Sequence, residues 1–231
     1  MDLIVSGIAG AIERLVTLDP DLREAAAASL AVSGSATLLS VVSGIPLGAL
    51  LGVASFRGRN LLLSLVNTGM GLPPVVVGLL VAILVWRSGP LGGLDWWCTR
   101  PAMVFAQYLL AAPTVIGLTA VANQSVDPML RLQLLALGAT RAQVLLVLVR
   151  ETRLLLLTAV MAGFGAVISE IGASLMTGCN IKGDTRILTT AIVLETNQGH
   201  FAPAIALAVI LLLLVFAINA VTTAAQQRRA T

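Results

Sequence analysis

Residues 25–53, AAAASLAVSGSATLLSVVSGIPLGALLGV, contain no charged side chain, and this stretch excludes most soluble folds. A run so long and apolar crosses a hydrocarbon core about 30 Å thick as one helix, because lipid offers backbone groups no partner outside it. Asp19 and Pro20 form its start signal: a carboxylate can accept from an orphan amide, and proline at the first helical position gives up an N–H that has no partner there. Pro46 lies inside the run and is of the kind that membrane helices tolerate.

The pattern recurs at 61–86, 102–121, 154–172 and 201–221, with Pro113 expected to interrupt the third span. The whole chain is 58% hydrophobic and 11% charged, whereas soluble domains carry about 25% charged residues. Alanine and glycine are abundant and aromatic residues scarce, a composition suited to close packing of membrane helices. The fold class is therefore an all-α polytopic membrane protein of about five transmembrane helices. Residues 3–18 are apolar but short and broken by Glu13 and Arg14, so an N-terminal interfacial helix is expected. No cleavable signal peptide is expected, since the opening lacks a basic segment and a small-residue cleavage site. Without an internal repeat or linker, the boundaries are 1–24 for the N-terminal segment, 25–223 for one transmembrane domain and 224–231 for a tail.

A formal charge of +3 would raise nucleic acid as a partner for a soluble protein, but here the basic residues sort by membrane side. Arg57 and Arg59 fall in one connection, Arg131, Arg141, Arg150 and Arg153 in or beside another, and Arg228 and Arg229 in the tail. These connections are expected on the cytoplasmic side, with the N-terminus outside and the C-terminus inside. Trp96 and Trp97, at an interface, and the polar stretch 174–200 then lie outside. Cys98 and Cys179 lack metal-binding or redox spacing and are read as incidental; because both fall on the outer side, a disulfide is an open alternative.

Three stretches depart from plain membrane helix. The first is 127–153, DPMLRLQLLALGATRAQVLLVLVRETR, which reads helix, break, helix. Asp127 and Pro128 start one helix, Gly138 stops it, and Thr140 with Gln143 has capping-box spacing for a second beginning at Arg141. No nucleophile meets a base there, so a mechanical contact fits better than a reaction centre, with an ordinary interfacial helix pair as the alternative. The second is NTGMGLPPVVVGL, 67–79, where Gly69, Gly71, Pro73 and Pro74 predict a break or strong kink. Backbone groups freed beside Asn67 and Thr68 must be buried in protein or line a polar passage. The third runs from Glu170 to His200. Gly172 permits close packing, and Asn180, Lys182, Thr185, Arg186, Thr189 and Thr190 offer partners to an anion; a solvated loop is the alternative. Glu170, at the end of an apolar span, needs pairing, hydration or escape to the interface, and structural pairing is favoured.

Taken together, LGATRAQVLLVLVRE, VNTGMGLPPVVVGL, WRSGPLG and ISEIGASLMTGCNIKGDTRILTTAIVLETNQGHFAPAIAL resemble the permeases of bacterial ATP-binding-cassette (ABC) importers for tungstate, molybdate and sulfate, tungstate above all. The resemblance implies a type I importer (MetI-like) transmembrane domain, in which two copies form the pore and an external binding protein delivers the oxyanion. It also implies that the glycine-centred loop docks on an ATPase subunit, through Asp127, Arg131, Leu132, Leu135, Gly138, Ala139, Thr140 and Arg141. The family's glutamate and terminal proline are replaced here by Leu132 and Glu151, and a more usual glycine by Cys179. Asn67, Thr68, Gly71, Pro73, Pro74, Glu170, Gly172, Asn180, Thr185 and Thr189 are the candidate pathway residues. The chain has no GxxxxGK[ST] loop, so ATP is expected on a separate subunit, with no cofactor on this one. The methionines show no stripe for copper or haem and are assigned to packing. An intramembrane enzyme using Glu170, Glu195 and His200 is the rival of a different class.

Overall fold

A computed structural model of the chain describes residues 2–17 and 19–227. The tail arginines Arg228 and Arg229, and the side chain of Arg14, lie outside the described residues. Among the described residues every regular element is helical.

The first helix, α1 (Asp2–Val16), precedes α2 (Pro20–Val53), which Asp19 caps by accepting from the Asp21 amide at 2.9 Å. Pro46 does not end α2. Span two is divided into α3 (Arg59–Met70) and α4 (Pro74–Val85), and span three is α5 (Arg100–Gln124). Contrary to expectation, Pro113 does not interrupt α5. One proline removes a single ladder bond, and neighbouring helices can carry the remaining turns. The arginine-bearing connection forms α6 (Pro128–Ala136) and α7 (Arg141–Glu151), followed by α8 (Arg153–Ile168), α9 (Gly172–Gly178), α10 (Leu188–Asn197) and α11 (Phe201–Gln227).

Three helices, α2, α5 and α11, are long and apolar enough to cross a membrane unaided. The pairs α3–α4 and α8–α9 bring the count to five if each bent pair is one span. Helices α2 and α5 are packed closely: a methyl on Gly52 would stand 2.8 Å from the Ala120 carbonyl oxygen. Such approach between backbones is what small residues permit where lipid supplies no hydrophobic drive. Of the hydroxyls buried along α2, Ser29 returns to the Ala25 carbonyl and Ser40 to that of Ala36, while Ser33 donates to the Val167 carbonyl of α8. Helix α1 lies along α11, with Ala11 buried in a cluster with Ala206, Leu207 and Ile210.

The stretch 174–200 is not the solvated loop of the alternative reading. It contains α9 and α10, and Ser174, Thr177, Thr185, Thr189 and Thr190 are buried. These polar groups tolerate burial because local backbone satisfies them: Thr177 donates to the Ala173 carbonyl and Thr185 to that of Gly178. Nor are the cysteines incidental, because Cys98 and Cys179 form a disulfide that ties the start of α5 to the end of α9. At the same end, Lys182 pairs with Asp21 and Arg100 with Asp184, joining the 179–187 turn to α2 and α5.

Candidate translocation and coupling sites

The first site is the elbow between α3 and α4, where the axes turn by 101°. Gly71 and Leu72 close α3 with bonds to the carbonyls of Thr68 and Gly69, and Pro73 is extended. Pro74 then opens α4 and cannot return an N–H to the Met70 carbonyl, which is why the helix does not continue. Asn67, Thr68, Gly71, Pro73 and Pro74 are all exposed. The Thr68 hydroxyl donates to the Ser64 carbonyl, so its polarity is partly spent within α3.

The second site is the bend between α8 and α9, where the axes turn by 60°. Glu170 is 5% exposed, and among the described residues no cation pairs with it. Its carboxylate caps α9, accepting from the Ala173 amide at 2.8 Å and from both the amide and the hydroxyl of Ser174 at 3.0 Å. An ionised carboxylate suits this place because the first amides of a helix are orphan donors with a partial positive charge. The pairing is structural, as favoured from sequence, but with neutral groups. Gln107 on α5 extends the network by donating to the Ser174 hydroxyl at 3.0 Å, and Thr189 donates to the Glu170 carbonyl at 3.1 Å.

Packing brings the two sites together, since a methyl on Gly172 would stand 2.7 Å from Val75 Cγ2. Of the other pathway candidates, Thr185 and Thr189 are buried with hydroxyls given to backbone carbonyls, and Asn180 occupies a left-handed turn at φ 54°. Gln107 escaped the sequence reading, although a lone amide in an apolar span is a usable signal. Ser174 lay within the third stretch without being singled out. The groups of the enzyme alternative do not converge: His200 meets Glu195 at 3.1 Å on the surface, whereas Glu170 is engaged at the head of α9.

The third site is the α6–α7 pair. Asp127 accepts from the Met129 amide at 2.9 Å, Gly138 is left-handed at φ 83°, and Thr140 with Gln143 forms the full capping box that starts α7 at Arg141. No residue of α6 is buried. Met129, Leu132 and Leu135 recur at helical spacing and are exposed, and Leu137 beyond them is 84% exposed. Asp127, Arg131, Gly138, Thr140 and Arg141 are exposed as well, with Ala139 half-buried. A solvent-facing apolar stripe flanked by arginines has the makeup of a contact surface.

Residues 44–231 match the family described as "Binding-protein-dependent transport system inner membrane component". The chain is 38% identical to the tungstate uptake system permease protein of Peptoclostridium acidaminophilum, covering 98% of this chain and 100% of that one. It is 42% identical to a probable anion ABC transporter permease protein of Haloferax volcanii, over 84% and 86% of the two chains, and 31% identical to the molybdenum transport system permease protein of Escherichia coli K12, over 87% and 94%. Its fold matches a bacterial ABC transporter involved in the import of the acidic polysaccharide alginate, with TM-score 0.74, 19% identity and coverage of 94% and 83%. With so much of its length matched, the chain belongs to the binding-protein-dependent transport system inner membrane components, the permeases of ABC transporters.

Proposed function

We propose that this chain is the membrane-spanning permease of an importer that moves tungstate into the cytoplasm. The observation that carries the reading is end-to-end similarity to a tungstate permease, 38% identical over 98% of this chain and 100% of that one. Two copies form the pore, an external binding protein delivers the anion, and a separate ATPase pair docks on α6. The end bearing Arg57, Arg59, Arg131, Arg141, Arg150 and Arg153 faces the cytoplasm, following the bias of basic residues, which puts the N-terminus outside. The Cys98–Cys179 disulfide then lies on the oxidising side, where such bonds persist.

The chain's part in transport is mechanical. Closure of the ATPase pair displaces α6, and the α3–α4 elbow and the α8–α9 bend change their relation so that the passage opens alternately to each side. The side-chain amide of Asn67 and the hydroxyl of Thr68, both exposed, can donate to the oxyanion and still let it go. Leu132, where relatives in the resembled family carry glutamate, makes the ATPase contact apolar in this chain.

The test is ATP-dependent uptake of tungstate into vesicles holding this chain, its ATPase and its binding protein, with molybdate and sulfate as competitors. Tungstate uptake poorly inhibited by sulfate supports the reading; preferential molybdate uptake moves the cargo to the nearest rival. A Leu132→Asp variant is expected to lose capture of the ATPase, because burying an unpaired carboxylate in an apolar contact is unfavourable by several kcal/mol, on the order of 3.

A further inference from the structure

We infer that Arg131 and Arg59 form the link by which movement of α6 reaches the elbow of span two, both arginines acting on the C-terminal end of α2; the inference rests on the permease reading above. A helix ends with carbonyls that have no partner within it. At the end of α2, the Ala54 amide returns to the Leu50 carbonyl, which leaves those of Leu51, Gly52 and Val53. None of the last-turn residues of α2 is basic, so the helix cannot complement its own terminus.

Arginines from two other elements fill the gap. Arg59 Nε donates to the Leu51 carbonyl at 2.8 Å, and its Nη2 reaches the Gly52 carbonyl at 3.5 Å. Arg131 Nη1 donates to the Val53 carbonyl at 2.7 Å. All three orphan carbonyls are thereby met, by charge-assisted bonds aimed at the negative end of a helix.

The origin of each arginine gives the arrangement its meaning. Arg131 belongs to α6, which buries no residue, and among the described residues its bond to Val53 is the one side-chain hydrogen bond from α6 to another helix. Arg59 is the first residue of α3, whose other end is the Gly71–Pro73 elbow. Between them stands α2, held against α5 by close backbone approach at Gly52, and therefore able to act as a fulcrum. A pull on α6 shifts the last turn of α2, and the shift changes the anchor from which α3 extends. Arg131 is thus a positioning residue bonded to the end of α2, in a part separate from that of the exposed leucines that meet the ATPase. Arg59 is its counterpart on the passage side.

The experiment compares Arg59→Met, Arg131→Gln and Arg131→Lys with the wild-type chain in vesicles with its ATPase and binding protein. It reads capture of the ATPase, ATP hydrolysis and tungstate uptake. Arg59→Met and Arg131→Gln are expected to capture the ATPase as the wild type does, which also reports correct folding, while uptake per ATP hydrolysed falls about tenfold. Lysine at 131, still able to donate to the Val53 carbonyl, recovers part of that loss. Unchanged uptake per ATP in either Arg59→Met or Arg131→Gln overturns the inference and leaves the permease reading standing. So does loss of ATPase capture in Arg131→Gln with normal uptake per remaining complex, since Arg131 is then a docking contact. A wild-type chain without ATP-dependent uptake overturns the permease reading and the inference with it.

Discussion

At the α3–α4 elbow the chain turns by 101° beside two prolines, and the residues around the turn are exposed; at the α8–α9 bend it turns by 60° without a proline, around a buried carboxylate. The first break arises from what the sequence withholds, namely two N–H groups. The second arises from what it adds, an acceptor that competes for the first amides of α9. A break made by missing donors can be open to a passage and can move, because little side-chain bonding holds it. The capped bend is fixed on several sides: Glu170 to α9, Gln107 from α5, Thr189 from α10 and the disulfide beyond. In the alternating-access cycle proposed above, the capped bend is assigned the part of the frame and the proline elbow that of the moving part.

The largest expected effect falls on the frame. Glu170→Ala leaves the amides of Ala173 and Ser174 and the Ser174 hydroxyl without their acceptor, each worth about 1–3 kcal/mol when buried. A loss of at least about 3 kcal/mol follows, read as a lower Tm of the detergent-solubilised chain. Pro74→Ala, at an exposed first helical position, changes stability by less than about 0.5 kcal/mol. Equal losses in the two variants would remove the distinction between frame and moving part.

Next in size is the disulfide. Replacing Cys98 and Cys179 together with serine frees a link across 81 residues and lowers stability by about 2–4 kcal/mol. The loss should concentrate at α9, so hydrogen exchange rises over 172–178 and stays unchanged over 67–74. Exchange rising equally at the elbow would mean that the two breaks share one support.

The same contrast accounts for what could be read from the chain alone. The elbow, the Asp19 and Asp127 caps, the Gly138 stop and the Thr140–Gln143 box all depend on residues within four positions of one another, and all were legible. The supports of the second bend are distant in sequence: Gln107 lies 67 residues from Ser174, and the cysteines pair only because the starts of α5 and the end of α9 meet. Composition made 174–200 look like a polar loop because hydroxyls satisfied by local backbone are indistinguishable, in sequence, from hydroxyls facing water. Pro113 was misleading in the opposite sense, since one missing donor does not suffice to break α5. The doubled proline at 73 and 74 supplies that, with glycines beside it.

The smallest effects test which glycine at the elbow matters, because sequence alone treated Gly69 and Gly71 alike. A methyl on Gly69 would stand 2.8 Å from Pro113 Cγ, a ring that cannot swing aside, so Gly69→Ala must push α3 away from α5 at a cost of about 1–2 kcal/mol. Gly71 differs in both respects: its φ is −99°, which any residue adopts, and a methyl there meets only the Thr68 carbonyl oxygen at 3.7 Å. Gly71→Ala should therefore leave stability within about 0.5 kcal/mol of wild type and should not alter uptake, because the turn is dictated by the prolines that follow. A Gly71→Ala variant that keeps its Tm but loses uptake would show that the moving elbow passes through a conformation open only to glycine. The elbow would then be a hinge with a second backbone state, and the frame at Glu170 the reference against which that state is measured.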